Sequence, residues 1–233
     1  MKLGRLQHDP LAVAAVPQHY SLTFPPSAMS RGDFSGFTPG LYDNDWAGDC
    51  TAVGLFNAAR GSALVNTGAD IPVAPGAALQ FYADLVGVPN TRAAIEATDG
   101  AQMLTVLARA QASGVEVGQQ VPLVPCWQRV AFMDRTALAR ALLEGPVYVG
   151  ADLTSADMGG DVASLWDAPP GAPPSEIIGG HAFVLWDYEG LGDTGTVRAG
   201  TWGVWKPATW RWLSAKLREA YLLTWPQLVR APA

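Results

Sequence analysis

The sequence predicts an α+β fold, helical in its first half and built on an antiparallel sheet in its second. Two observations carry this. Apolar residues recur at helical spacing through 52–63, 77–86 and 103–110, whereas from 146 onward short runs rich in Val, Tyr, Phe and Trp are separated by Gly-rich turns. The 233 residues, 49% hydrophobic and 15% charged, are ample for one sizeable core. No internal repeat is visible.

Residues 1–40 carry Pro10, Pro17, Pro25, Pro26 and Pro39 with few periodic apolar positions, so they read as an extended arm with a short strand at 20–24. Residues 41–233 form the main domain. A polar loop, 41–49, runs into a helix over about 50–65 with Leu55, Phe56, Ala59 and Ala63 on its spacing. Gly54 and Gly61 weaken that helix by about 1 kcal/mol each relative to alanine. After the break at 72–76, Leu79, Tyr82 and Val86 mark a second helix. A third, with Met103, Val106, Leu107 and Ala110, ends before Gly114. A short extended segment lies around 121–124, interrupted by Pro122 and Pro125. Asp134 is placed to cap a helix that Gly145 stops. Then come a strand at 146–151, a long loop at 154–179, a strand at 181–188, a turn at 190–195 and a strand at 196–204. Thr209 caps a helix over 209–218, and 220–225 is the last strand.

The bulk numbers exclude several functions. With a net charge of −6 and no Lys/Arg cluster, nucleic-acid binding is disfavoured. No apolar run approaches the ~20 residues of a membrane span, and residues 1–10 lack a signal-peptide core, so neither a membrane span nor an export signal is expected. Cys50 and Cys126 permit one disulfide, but a reduced compartment fits better. Three scattered histidines lack ligand spacing, and Asp152, Asp157 and Asp161 do not match a calcium loop. No metal or cofactor is expected.

The chemistry concentrates at Cys50. At the first turn of a helix, unpaired backbone N–H groups and the dipole favour thiolate over thiol. A thiol nucleophile needs a base, and His181 opens the most strand-like run in the chain, 179–188. Cysteine at a helix start and histidine at a strand start form a nucleophile–base pair.

These residues and their flanks resemble the papain-like cysteine peptidases. Asn44 lies six residues before Cys50, where that family places its oxyanion-stabilising Gln. The Asp49-Cys50 pair is similar to the bacteriocin-processing branch. His181-Ala182, followed by Val184, Leu185 and Tyr188, resembles the His-Ala strand, and Thr201-Trp202-Gly203 resembles the end of Asn-Ser-Trp-Gly. The resemblance spans about residues 40–225. It implies Cys50, His181, Asn44 and Thr201 as the catalytic set, with Trp46, Gly48, Gly180 and Trp202 bordering a peptide-like substrate. Gly200 falls where the family has its orienting Asn, leaving Thr201, Asp187 or Asp193 to hold the imidazole.

Two functions follow from the resemblance. One is a hydrolase of peptide or amide bonds, peptidoglycan crosslinks included. The other is a catalytically weak module that binds or packs into an assembly such as a phage virion, because the pattern also resembles small papain-like proteins of bacteria, prophages and phages. The arm is much shorter than the inhibitory prosegments of papain-like zymogens, so no zymogen control is expected.

Overall fold

A computed structural model of the chain describes residues 2–118, 122–172 and 175–228. In order it places β1 (Arg5–Leu6), α1 (Pro10–Ala14), β2 (Ala28–Met29), α2 (Cys50–Thr67), α3 (Ala77–Val86), α4 (Arg92–Glu96), β3 (Ala101–Gln102) and α5 (Met103–Ser113). The second half holds β4 (Cys126–Arg129), α6 (Arg135–Glu144), β5 (Val147–Thr154), β6 (Ile177–Glu189), β7 (Thr196–Thr201), β8 (Val204–Thr209), α7 (Trp210–Lys216) and β9 (Leu217–Thr224). The expected α+β division, with helices first and the sheet last, is what the structure has.

The main sheet runs β4-β9-β5-β6-β7-β8, with β2 paired to β6, and every pairing in it is antiparallel. The period of two along a strand separates two buried clusters. Ala182, Val184 and Trp186 of β6 join the cluster of α2, α3 and α5, whereas Phe183 and Leu185 join that of α6 and α7. The sheet is therefore covered on both faces.

Two glycines let α2 lie close on the sheet. A Cβ at Gly61 would stand 2.4 Å from the Trp186 ring, and one at Gly54 would stand 2.9 Å from the Tyr148 ring. The Tyr148 hydroxyl donates to the Thr51 carbonyl at 2.7 Å, tying β5 to the first turn of α2. The two glycines that weaken the isolated helix thus set its distance from the sheet.

The sequence reading and the structure differ in several places. No strand forms at 20–24: Tyr20, Leu22 and Phe24 are exposed, and the arm pairs with β6 only at β2. The run expected as one strand over 196–204 is two, because Trp202 at φ 47° and Gly203 at φ 75° turn the chain between β7 and β8. The long loop ends earlier than expected, since β6 begins at Ile177. The extended segment at 121–124 begins at a residue outside the described ones, but Leu123 pairs with Val115. Both expected caps are made: the Asp134 carboxylate accepts from the Thr136 and Ala137 amides, and the Thr209 hydroxyl accepts from the Trp212 amide.

Candidate active site

Cys50 is the first residue of α2, with Asp49 at the N-cap, and its side chain is fully buried. The backbone amides of Ala182 and Gly4 lie near enough to the sulfur to favour a thiolate there. Ala182 follows His181 directly, so the start of α2 and the middle of β6 meet at the sulfur. Both cysteines are free thiols, and Cys126 is exposed.

The His181 imidazole is 1% exposed and held on two sides. Its Nε2 is 2.6 Å from Thr201 Oγ1, and the Trp202 ring stacks on it with centroids 4.2 Å apart. Thr201 therefore holds the imidazole, whereas a Cβ at Gly200 would point away from it, toward Pro39, Trp205 and Trp186. The other two candidates are engaged elsewhere: Asp187 pairs with Arg198 and Asp193 with Arg135. In the tautomer whose Nε2–H donates to Thr201, Nδ1 carries the lone pair, and among the described residues no group satisfies that buried nitrogen.

Asn44 is buried in the preceding loop. Its amide donates to the Ala47 carbonyl and to Asp49 Oδ1, both at 3.0 Å. Asn44 thus binds the carboxylate that neighbours the thiol. Trp46 sits in the same loop, its Nε1 donating to Asp43 and its ring covered by the Arg92 guanidinium. Trp202 backs the imidazole and is itself stacked edge-on by Trp166. Of the other tryptophans near the C-terminal end, Trp212 stacks on Trp166, Trp205 packs with Phe34 and Phe37, and Trp210 packs with Tyr188.

Gly48 and Gly180 flank an occupant that the sequence reading missed. The segment Lys2–Leu6 runs between them, over Cys50. A Cβ on Gly4 would fall 1.8 Å from the Gly48 carbonyl oxygen, and one on Gly180 would fall 2.4 Å from the Arg5 carbonyl oxygen. The Gly4 carbonyl accepts from the Ala101 amide at 2.8 Å, where β1 pairs in parallel with β3. The thiol accordingly faces the Gly4 amide and not a carbonyl carbon. The Arg5 guanidinium reaches inward to Asp152 Oδ1 at 2.6 Å and Glu219 Oε1 at 2.9 Å. An arm expected to be too short for control thus covers the site, because only its first few residues are needed to cross the groove.

Burial sets the electrostatics. It pushes the Cys50 thiol up to about 11, against the lowering effect of the two amides, and holds His181 down to about 3, with Arg5 adding to the fall. The thiol and the imidazole are therefore both uncharged near neutral pH. Burial also raises Asp49 to about 7, opposed by the hydrogen bond from Asn44.

These shifts fix a pH dependence. Asp49 binds a proton more readily folded than unfolded, so its contribution falls as pH rises from 3.8 toward 7. His181 is the reverse: the unfolded chain binds its proton first, so its contribution is lost as pH falls from 6.5 toward 3. The slopes oppose one another where the windows overlap. Asp49→Asn should leave the histidine slope alone, giving a melting temperature that climbs with pH up to about 6.5, near the unperturbed histidine value. Thermal unfolding from acid to neutral pH checks this, and a profile parallel to wild type would contradict it.

Among the described residues, no group of three His, Cys, Asp or Glu side chains is placed to hold a metal ion. No helix among them is long and apolar enough to cross a membrane.

The sequence matches no protein-family model and no curated protein sequence. Solved structures do match. Xylellain, a cysteine protease from Xylella fastidiosa, is 15% identical with a TM-score of 0.54, over 95% of this chain and 91% of that one. Procathepsin B S9 from Trypanosoma congolense is 9% identical with a TM-score of 0.65, over 96% and 86%. The Carica candamarcensis cysteine protease CMS1MS2, solved with E-64, is 14% identical with a TM-score of 0.60, over 85% and 98%. The chain has the papain-like cysteine protease fold. Within that fold Cys50 opens α2, His181 lies on β6 immediately before Ala182, and Lys2–Leu6 passes between Gly48 and Gly180.

Proposed function

We propose that the chain is a cysteine hydrolase of peptide or amide bonds, with Cys50 as nucleophile and His181 as base. The observation that carries this reading is a helix-start cysteine, Cys50, set against the backbone of Ala182, whose preceding residue His181 has its imidazole held by Thr201. In the reaction, Cys50 Sγ attacks the substrate carbonyl carbon while the thiol proton passes to His181 Nδ1. The oxyanion meets the Cys50 backbone N–H, and the Asn44 amide joins once it turns from Asp49. His181 then gives its proton to the leaving amine, and water, deprotonated by the same imidazole, releases the acyl group. Thr201 and Trp202 position the ring, while Trp46, Gly48 and Gly180 border the substrate.

Turnover requires Lys2–Leu6 to leave the groove. We divide the chain accordingly: residues 1–40 as an arm that gates, and 41–233 as the domain that carries the chemistry. The test is a panel of peptide p-nitroanilides offered to the full chain carrying Gly4→Val, which cannot seat its segment under Gly48. Release of nitroaniline that vanishes in Gly4→Val/Cys50→Ala supports the reading. No release from any peptide contradicts it.

A second reading, a catalytically weak binding module, is favoured by the neutral Cys50–His181 pair and by the missing side chain at Gly200. The same assay separates the two. Peptidoglycan crosslinks suit the first reading and a virion partner the second, but the similar structures are cysteine proteases and lend neither any support.

A further inference from the structure

We propose that the pocket now filled by Arg5 is a specificity site that takes a basic side chain, arginine above all, from the peptide entering the groove. As a substrate site it rests on the hydrolase reading; as a guanidinium site it does not.

The pocket is built for a cation. The Asp152 and Glu219 side chains are 5% and 3% exposed, and carboxylates so far removed from water are costly unless paired. Asp152 Oδ2 also accepts from Arg218 Nε at 2.7 Å, so it keeps a cation when Arg5 departs. Glu219 does not: its remaining partner is the Tyr221 hydroxyl at 2.9 Å. Withdrawal of the segment therefore leaves one uncompensated buried carboxylate. It lies one residue along the segment from the glycine that covers the thiol.

The shape is that of a long side chain entering with its backbone. A Cβ at Gly150 would stand 2.5 Å from Arg5 Cδ, and one at Gly180 would stand 3.1 Å from Arg5 Nε. Any side chain at either position would fill the channel. The two carboxylates meet separate nitrogens of the guanidinium, Nη2 and Nη1. A planar fork satisfies that arrangement and a single ammonium does not, so arginine should outrank lysine. A cavity of about 390 Å³ adjoins the pocket, bordered by Arg5, His8, Arg129, Arg218 and Glu219.

The test uses the full chain with Arg5→Ala, which empties the pocket. N-acetyl-arginine methylamide should raise its melting temperature saturably. N-acetyl-norleucine methylamide should not, and neither compound should move wild type, whose pocket is filled. Adding Glu219→Gln should abolish the effect. If Arg5→Ala does not fold, Gly4→Val, which keeps both carboxylates and drives the segment out, serves for the same titration. In Gly4→Val the arginine peptide should be cleaved with a kcat/KM at least about tenfold above its leucine counterpart, a difference lost in Glu219→Gln. Stabilisation by the arginine compound without hydrolysis of any peptide would uphold the pocket and sink the hydrolase reading. Hydrolysis with no basic preference, together with no selective stabilisation, would overturn the pocket.

Discussion

Gly4→Val should make Cys50 about a hundredfold faster to alkylate with iodoacetamide at neutral pH. In wild type the thiol is fully buried under the Gly4 backbone. Labelling must therefore wait for a local opening, and each 1.4 kcal/mol of opening free energy slows it tenfold. The segment is held by the Gly4–Ala101 backbone bond, the Lys2 ammonium on the Glu96 carbonyl at 2.9 Å and the two ion pairs of Arg5. A closing energy of about 3 kcal/mol from these contacts gives the hundredfold figure. Valine cannot be seated, because its Cβ would overlap the Gly48 carbonyl, which is backbone and cannot swing aside. Mass-spectrometric counting of modified Cys50 against modified Cys126 measures the effect internally, since Cys126 is already exposed. An unchanged ratio would mean that the segment does not guard the thiol.

Gly61→Ala should destabilise the protein, although alanine is the better helix former by about 1 kcal/mol. The new Cβ would stand 2.4 and 2.5 Å from two atoms of the Trp186 ring. That ring is 1% exposed and wedged between Phe34 and Trp205, so it has nowhere to turn. Overpacking a dense core costs about 1–3 kcal/mol, and we place this site at the upper end. Gly61→Val should be worse, lowering the melting temperature by about 6–12 °C for a chain of this size. Function should fall with stability, since the α2–sheet contact also brings Cys50 to Ala182. A Gly61→Ala protein that melts higher than wild type would show that propensity outweighs the clash.

Much of this was legible in the sequence where local chemistry decides. The caps at Asp134 and Thr209, the helical stripes and the two-residue alternation of β6 each follow from interactions within a few residues. Cys50 and His181 could be paired because their elements were readable and their order resembles a known family. What could not be read depends on distant partners. Tyr20, Leu22 and Phe24 alternate like a strand, yet a strand needs an edge, and the arm finds one at Arg5–Leu6 and at Ala28–Met29 but not between 20 and 24. Trp202 looks like the continuation of β7 until its positive φ turns the chain and lays its ring on His181. Thr201 and Gly200 project to opposite faces of β7, so the threonine, not its neighbour, meets the imidazole. Arg5 gave no sign of its role, because its partners Asp152 and Glu219 lie 147 and 214 residues away.

The most direct test of the central claim, that Cys50 and His181 act as nucleophile and base once uncovered, is the pH profile of Cys50 alkylation in Gly4→Val, with and without His181→Ala. Hydration of the opened groove should let the thiol give its proton to the imidazole. Labelling should then reach a plateau well below the unperturbed thiol value near 8.5, and His181→Ala should push it back up. Profiles that rise only at or above that value, and coincide with and without the imidazole, would contradict the pairing.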